Sequence, residues 1–370
     1  MKIFLSKPHM SGNEQKNVKD AFDSNYIAPL GPHLDAFEDE VSKYIGNNLH
    51  CVGLSSGTAA LHLALIVAGV EKGDEVWVSS MTFAGGVFPI NYIGAKPRFF
   101  DLNPETWCIN VDLVRDELKK AASENRLPKA IIPTDLYGQS VELDELESLV
   151  KDFDIALVVD SAESLGAEYL NGRKAGSGGD IAILSFNGNK IITTSGGGMI
   201  VTKNKDWADR ARFLSTQARD KALHYEHSNI GFNYRLSNIS AAIGLGQMKV
   251  LDKRVSERRN VFSIYEKALN IEGINFNSSG VSTDLTDGDG GFIKQTINQN
   301  INIGTQLYGF DFAGGAGYYF GWDPSENKSV WVGLGGQGSN YWNSRTPLRI
   351  VVTPSTIDLY QNTLSPNYLL

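Results

Sequence analysis

The chain has 370 residues, 42% of them apolar and 21% charged, and a net charge of −8 with a pI near 5.4; this is room for one large domain and a smaller one. An acidic balance excludes nucleic acid as a main partner, because phosphate backbones need a basic face, and two cysteines, Cys51 and Cys108, exclude a disulfide scaffold or a cysteine-built metal site. The opening "MKIFL" is too short for a signal-peptide core, and no apolar run reaches the ~18 residues of a membrane span, so the expectation is a cytoplasmic protein without a membrane partner.

From about residue 50 to 200, short β-branched runs alternate with helical stretches. "CVGLSSG" reads as a strand and a turn, and "TAALHLALIVAGV" as a helix, being too long for one strand and rich in Ala and Leu. "DEVWVSS" and "PRFFDL" are predicted strands, separated by the apolar "GVFPINYIG". "VDLVRDELKKAASE" is an amphipathic helix, "KAIIPTDL" a strand, "VELDELESLVKDF" a helix and "IALVVDSAES" a strand. The runs "DIAILSF" and "GGMIVT" are again β-type. Strands separated by helices mean crossover connections and a mainly parallel sheet, with a ligand site beyond the strands' carboxyl ends. Residues 236–269 read as one long helix whose apolar stripe fades into "DKRVSERR". Past about residue 276 the chain turns rich in Gly, Asn, Ser and aromatics, and short alternating runs such as "KSVWVGL" and "LRIVVTP" predict β-structure. The expected division is 1–235, a connecting helix at 236–275, and a C-terminal segment at 276–370.

Four segments bear on chemistry. In "LSSGTAALHLAL" a strand gives way at once to a helix, so free N–H groups at the helix start can hold an anion, with Gly57 allowing close approach; the same residues suit an ordinary helix N-cap. In "LVVDSAESLGA" Asp160 ends an apolar run where a ligand crevice is expected, and Glu163 follows on the same turn; Asp160 could instead cap a helix. In "SFNGNKIITTSGGG" Lys190 stands alone among small and polar residues between two β-type runs. A desolvated lysine has a lowered pKa and can condense with an aldehyde, whereas a solvated lysine at a strand end would do nothing. Ser185, shortly before it, is placed to reach a phosphate. In "SMTFAGGVF" Phe83 follows a strand end and could cover a flat ring or simply pack in the core. A phosphate cup, an acid for a ring nitrogen, a stacking aromatic and an aldehyde-capturing amine together describe a pyridoxal 5′-phosphate (PLP) site.

The chain resembles the DegT-type, PLP-dependent nucleotide-sugar aminotransferases of the fold-type-I superfamily, from about residue 3 to 270. The likeness is carried by "NYIAPLGPHLDAFEDEV", "SSGTAALHLAL", "DLYGQSVELDEL", "DSAESLGA", "SFNGNKIITTSGGGM", "STQARDKALHYEHSNIGFNYRLSN" and "QMKVLDKRV". It implies a three-layer α/β/α sandwich, followed here by an atypical C-terminal segment. It further implies that Lys190 bonds the cofactor and shuttles the proton, that Asp160 bonds the pyridine nitrogen, and that Glu163 lies near the ring hydroxyl. Phe83 would stack on the ring, and Gly57, Thr58 and Ser185 would hold the phosphate. Asn233 would reach the phosphate of a neighbouring subunit, making the active unit a homodimer, and His227 and Tyr234 would lie along the sugar-nucleotide cleft.

Within the family, "SFNGNKIITTSGGG" and "ARDKALHYEH" resemble the branch acting on UDP-linked 4-keto-6-deoxy-N-acetylhexosamines, with glutamate as amino donor. Related sugar 3-dehydratases carry His at the lysine position, and Lys190 argues against that branch. Relatives end in a small α/β domain with a motif like "RPLWKPLH", which has no counterpart after residue 276 beyond the distant "WNSRTPLRIVV". A divergent domain, an unrelated module and a joined foreign segment all remain open there, as does a protein that binds PLP and nucleotide sugar without turnover.

Overall fold

A computed structural model describes residues 7–268 and, beyond them, the strands at 274–276, 293–295, 316–323, 328–335, 348–352 and 357–361. The first residues of the chain and the Gly-rich stretch at 278–292 lie outside the described residues. The chain divides into two compact units, one built mainly of Lys7–Asn270 and the other mainly of Gln295–Leu370.

In the first unit, helices α1 (Glu14–Asp23) and α2 (Pro32–Ile45) precede the alternating region. There follow β1 (His50–Leu54), α3 (Gly57–Val67), β2 (Glu75–Ser79), α4 (Phe88–Ile93), β3 (Lys96–Phe100) and α5 (Val111–Ser123). Then come β4 (Ala130–Ile132), α6 (Leu143–Val150), β5 (Ala156–Asp160), β6 (Ile181–Ser185), β7 (Gly198–Thr202) and α7 (Lys205–Ser215). The apolar "GVFPINYIG" contributes the short helix α4. The seven strands form one sheet in the order β1-β7-β6-β5-β4-β2-β3. Pairs among β3, β2, β4, β5 and β6 are parallel, while β7 runs antiparallel to β6 and β1. The mainly parallel α/β sheet expected from the alternation is present, and every strand but the edge strand β3 is almost wholly buried, which is why the others read as nearly unbroken apolar runs. Helix α3 is buried along most of its length against β1, β6 and β7.

Residues 236–269 are two helices rather than one: α8 (Asn238–Met248) and α9 (Leu251–Ala268). The break follows from what each half packs on. Helix α8 lies against α1 and α2 with glycine at the contacts; a methyl added at Gly244 would meet the Phe37 ring at 2.6 Å, and one at Gly246 the Glu14 backbone at 2.9 Å. Its end is tied down by the buried Gln247, whose amide donates to His9 O at 3.1 Å and whose oxygen accepts from the Thr193 N–H at 3.4 Å. Val250 N–H bonds back three residues to Gln247 O, which tightens the last turn and stops the α8 ladder. The more polar α9 then begins after a two-residue turn at 249–250.

In the second unit, β10 (Ala316–Asp323), β11 (Lys328–Gly335), β12 (Leu348–Val352) and β13 (Ile357–Gln361) form an antiparallel sheet in sequence order. A separate pair joins β8 (Ile274–Phe276) and β9 (Ile293–Gln295). No helix among the described residues is long and apolar enough to cross a membrane.

The start of β7 is the tightest backbone approach at this sheet edge. A methyl on Gly198 would lie 2.3 Å from the Ser56 carbonyl and 2.5 Å from Gly57 N, so no side chain fits. Gly198→Ala is therefore expected to lower the unfolding free energy in urea by about 1–3 kcal/mol through forced displacement of the β1–α3 turn. Gly196→Ala, where an added methyl meets nothing within 4 Å, should stay within about 0.5 kcal/mol. Equal losses for the two variants would contradict this packing.

Candidate active site

Of the sequence-predicted residues, Gly57, Thr58, Phe83, Asp160, Glu163, Ser185 and Lys190 gather at one edge of the sheet. Leu54, Gly198 and Ser185 stand in register across β1, β7 and β6, and Asp160 ends β5 beside them. Because β7 reverses direction, the loop at 186–197 leaves β6 and returns to the same edge, and Lys190 sits within that loop rather than on a strand end.

The turn after β1 is both a cap and a cup. Ser56 is the N-cap of α3, its hydroxyl accepting from the Ala59 N–H at 3.0 Å. That leaves the N–H groups of Gly57 and Thr58 with no acceptor among the described residues, as the first turn of a helix requires. Gly57 faces Ser185: a methyl there would touch Ser185 Cβ at 3.1 Å and Oγ at 3.4 Å. Thr58 and Phe83 meet around Gly85, where an added methyl would lie 2.7 Å from Thr58 Oγ1 and 3.0 Å from the Phe83 ring. Phe83 is 52% exposed, so its ring is not core packing but an open apolar face at the rim of this cup. Two N–H groups, a serine hydroxyl and a helix N-terminus are the donor set of a phosphate site.

Asp160 is 5% exposed and begins no helix; its Oδ1 accepts from the Ala162 N–H at 3.2 Å. Its Oδ2 faces the methyl-free Cα of Gly86, where an added Cβ would approach to 3.2 Å. Burial pushes the carboxyl up to about 7; the Ala162 hydrogen bond and Lys190 oppose this, and the charges of Glu163 and Asp135 add to it. A carboxylate of raised basicity at the mouth of a cup suits a cationic ring N–H.

Lys190 does have an acid beside it, one that sequence neighbourhood could not reveal. Its Nζ donates to Glu163 Oε1 at 3.1 Å, with side chains only 12% and 14% exposed. Glu163 Oε2 accepts the Tyr137 N–H at 2.8 Å. Tyr137 takes a left-handed backbone, φ 54°, which is uncommon for a non-glycine residue and directs that N–H to Glu163. The residues present thus fit PLP on three counts: a cup of donors at the start of α3, a buried acid with a raised pKa, and a shielded lysine.

Asn233, His227 and Tyr234 lie on the segment between α7 and α8 and make their contacts there. Gln217 Nε2 donates to Asn233 Oδ1 at 2.9 Å, and Gln217 O lies 2.9 Å from His227 Nδ1. Tyr234 stacks on Phe232, and its hydroxyl lies 3.4 Å from His62 Nδ1. The segment is pinned to β1 by an ion cluster around the buried Glu38, which no local sequence signal marks. Glu38 accepts from the Gly53 N–H at 2.6 Å and pairs with Arg212 at 2.9 Å and with Arg235. A cleft of about 830 Å³ beside it is lined in part by Tyr26, Leu30, Arg212, Gln217, Arg219 and Arg235.

Asp160 imposes a pH dependence on the ligand-free fold. Its carboxyl ordinarily titrates at 3.8 and titrates at about 7 when folded. Between those values the folded chain holds the extra proton, so stability falls as pH rises from about 4 to about 7 and is flat above. Asp160→Asn removes this loss. In urea unfolding of cofactor-free protein, the variant should gain on wild type through that window, by on the order of 4 kcal/mol at pH 8. A difference constant from pH 4 to pH 8 would contradict the buried, raised carboxyl.

Residues 8–281 match the DegT/DnrJ/EryC1/StrS aminotransferase family. The chain is 47% identical over 276 residues, 74% of its length and 71% of the relative's, to EpsN of Bacillus subtilis (strain 168), whose name proposes a pyridoxal phosphate-dependent aminotransferase. It is 38% identical over 268 residues (72% and 70% of the two chains) to the GDP-perosamine synthase of Caulobacter vibrioides. It is 36% identical over 239 residues (64% and 62%) to the UDP-4-amino-4,6-dideoxy-N-acetyl-beta-L-altrosamine transaminase of Campylobacter jejuni. Among solved structures, the PLP form of Spr1654 from Streptococcus pneumoniae, assigned as a sugar aminotransferase, superposes with a TM-score of 0.69 at 26% identity, covering 77% of this chain and 76% of that one. With the sheet order, the phosphate cup and the shielded lysine already in place, the chain belongs to the DegT/DnrJ/EryC1/StrS family and is a PLP-dependent nucleotide-sugar aminotransferase.

Proposed function

We propose that the enzyme transfers an amino group from glutamate to the 4-keto group of a UDP-linked 4-keto-6-deoxy-N-acetylhexosamine, in the cytoplasm, as a homodimer with shared active sites. Residues 1–235 form the cofactor-binding part in this reading, 236–275 the connection, and 276–370 a segment bearing on sugar turnover. The observation that carries it is the Lys190–Glu163 pair set beside the buried Asp160 and the α3 cup. The UDP branch is supported by the quoted motifs and by the Campylobacter relative's name; the Caulobacter relative's name makes a GDP-linked sugar the competitor to test against it.

When bound, PLP supplies an aldehyde for amine exchange and a ring that draws electrons from the bond being broken. Asp160 keeps a proton on the ring nitrogen. The Gly57 and Thr58 N–H groups and the Ser185 hydroxyl hold the phosphate, and Phe83 covers one ring face. Lys190 would take the proton from the donor's α-carbon at Nζ and deliver it to the cofactor, with Glu163 beside it to balance the ammonium charge. The nucleotide, bound away from the reacting carbon, supplies binding energy for orientation. In this reading His227 and Tyr234 line the sugar-nucleotide cleft.

Borohydride treatment of the yellow holoenzyme should fix the cofactor covalently on the peptide containing Lys190. Lys190→Ala should lose transamination by about 10³-fold or more while keeping part of its PLP binding. An adduct on another lysine would refute the assignment. A mixed dimer of Lys190→Ala and Asn233→Ala subunits should recover activity absent from both mutant homodimers, because one site would then bear neither lesion. No recovery would place Asn233 in its own subunit's site and remove the argument for a shared one.

A further inference from the structure

We propose that Asp135 is a positioning residue for the cofactor acid: its carboxylate fixes the loop carrying Asp160 and Glu163, and with it the direction in which Asp160 meets the ring nitrogen. The proposal rests on the reading of Asp160 given above. Asp135 has no exposed surface, and four donors converge on it. Val141 N–H donates to Oδ1 at 3.0 Å; the hydroxyls of Ser161, Ser164 and Tyr169 donate to Oδ2 at 2.7, 2.9 and 3.1 Å. An ionised carboxylate accepts about four hydrogen bonds, so this set satisfies it. Burial raises its pKa, and these same four hydrogen bonds oppose the rise.

The position of the partners gives the network its meaning. Ser161 directly follows Asp160, and Ser164 directly follows Glu163. The main chain closes the same joint: Asp135 N–H donates to Asp160 O at 2.9 Å, and Asp160 N–H to Pro133 O at 2.9 Å. Two residues past Asp135, the left-handed Tyr137 supplies the N–H that holds Glu163. Asp135 thus ties the loop after β4 to the loop after β5 at both ends of the Asp160–Glu163 turn, without hydrogen-bonding to Lys190 itself. A buried carboxylate is a costly way to brace two loops, and a fully satisfied buried network specifies one geometry where apolar packing would allow several. The charged groups acting on Asp160 are Glu163, Lys190 and Asp135. Asp135's own charge is the smallest of these influences, so its effect is exerted through geometry.

Pyridoxine 5′-phosphate tests this, because it carries no aldehyde to bond Lys190 and its ultraviolet absorbance reports the proton on its ring nitrogen. Bound to wild type, its ring should keep that proton to a higher pH than the free compound does. In Asp135→Asn, and in Ser161→Ala/Ser164→Ala, which keeps the carboxylate but removes two donors, the pH of ring deprotonation should fall by about one unit or more. Inorganic phosphate affinity at the α3 cup should stay within about twofold of wild type. If Asp135→Asn does not fold, the serine double variant carries the test alone. An unchanged ring titration accompanied only by a lower melting temperature overturns the proposal and leaves Asp135 as core support. A wild-type protein that binds the analogue without raising its ring titration overturns the reading of Asp160, and the proposal with it.

Discussion

The site depends on β7 running against its neighbours. Had it been parallel to β6, the connection between them would have crossed to the far edge of the sheet, taking Lys190 away from Asp160. Because it is antiparallel, the loop at 186–197 stays at the carboxyl edge. Lys190 then faces the turn after β5, and β1 on the other flank of β7 brings the start of α3 to Ser185. Gly198 is the condition for this arrangement, since any side chain there would displace the Ser56–Gly57 turn.

The site holds two charges that burial disfavours. Asp160 sits in a place that pushes its carboxyl up to about 7, and Lys190 is shielded but paired with Glu163. Neither arrangement is what stability alone would select. The surroundings are correspondingly rigid: the Asp135 network, the strained Tyr137 and the Glu38 cluster each brace one segment of the edge. Local cost at functional groups, supported by fully satisfied neighbours, is the expected pattern for a preorganised site.

Much of this was legible in the sequence, for physical reasons that also mark where legibility stopped. Strands buried on both faces stand out as apolar runs, and Ser-Ser-Gly-Thr before an Ala- and Leu-rich stretch announces both cap and cup, which coexist here because Ser56 caps while Gly57 and Thr58 keep their N–H groups open. Lys190, Asp160 and Ser185 could be singled out because each sits where a strand ends or a loop opens. The Glu163–Lys190 contact could not, since it joins two loops through the sheet's register. The division between α8 and α9 was hidden because "QMKVLDK" has good helix formers throughout; only the tethering of Gln247 to other segments ends the first helix. Nothing in the sequence around Asp135 or Glu38 marks either as buried, because what makes them buried centres is the arrival of donors from distant segments.

The central claim is that this edge moves an amino nitrogen from glutamate to the C4 carbon of a nucleotide-linked keto sugar. Incubating the holoenzyme with ¹⁵N-glutamate and, separately, UDP-linked and GDP-linked 4-keto-6-deoxy sugars, then analysing the nucleotide sugars by mass spectrometry and NMR, tests it directly. The account predicts ¹⁵N bonded to C4 of the UDP-linked N-acetylated sugar, with 2-oxoglutarate formed in equal amount. Label in the GDP-linked sugar alone would contradict the UDP reading, and absence of label from every sugar would contradict the transfer itself.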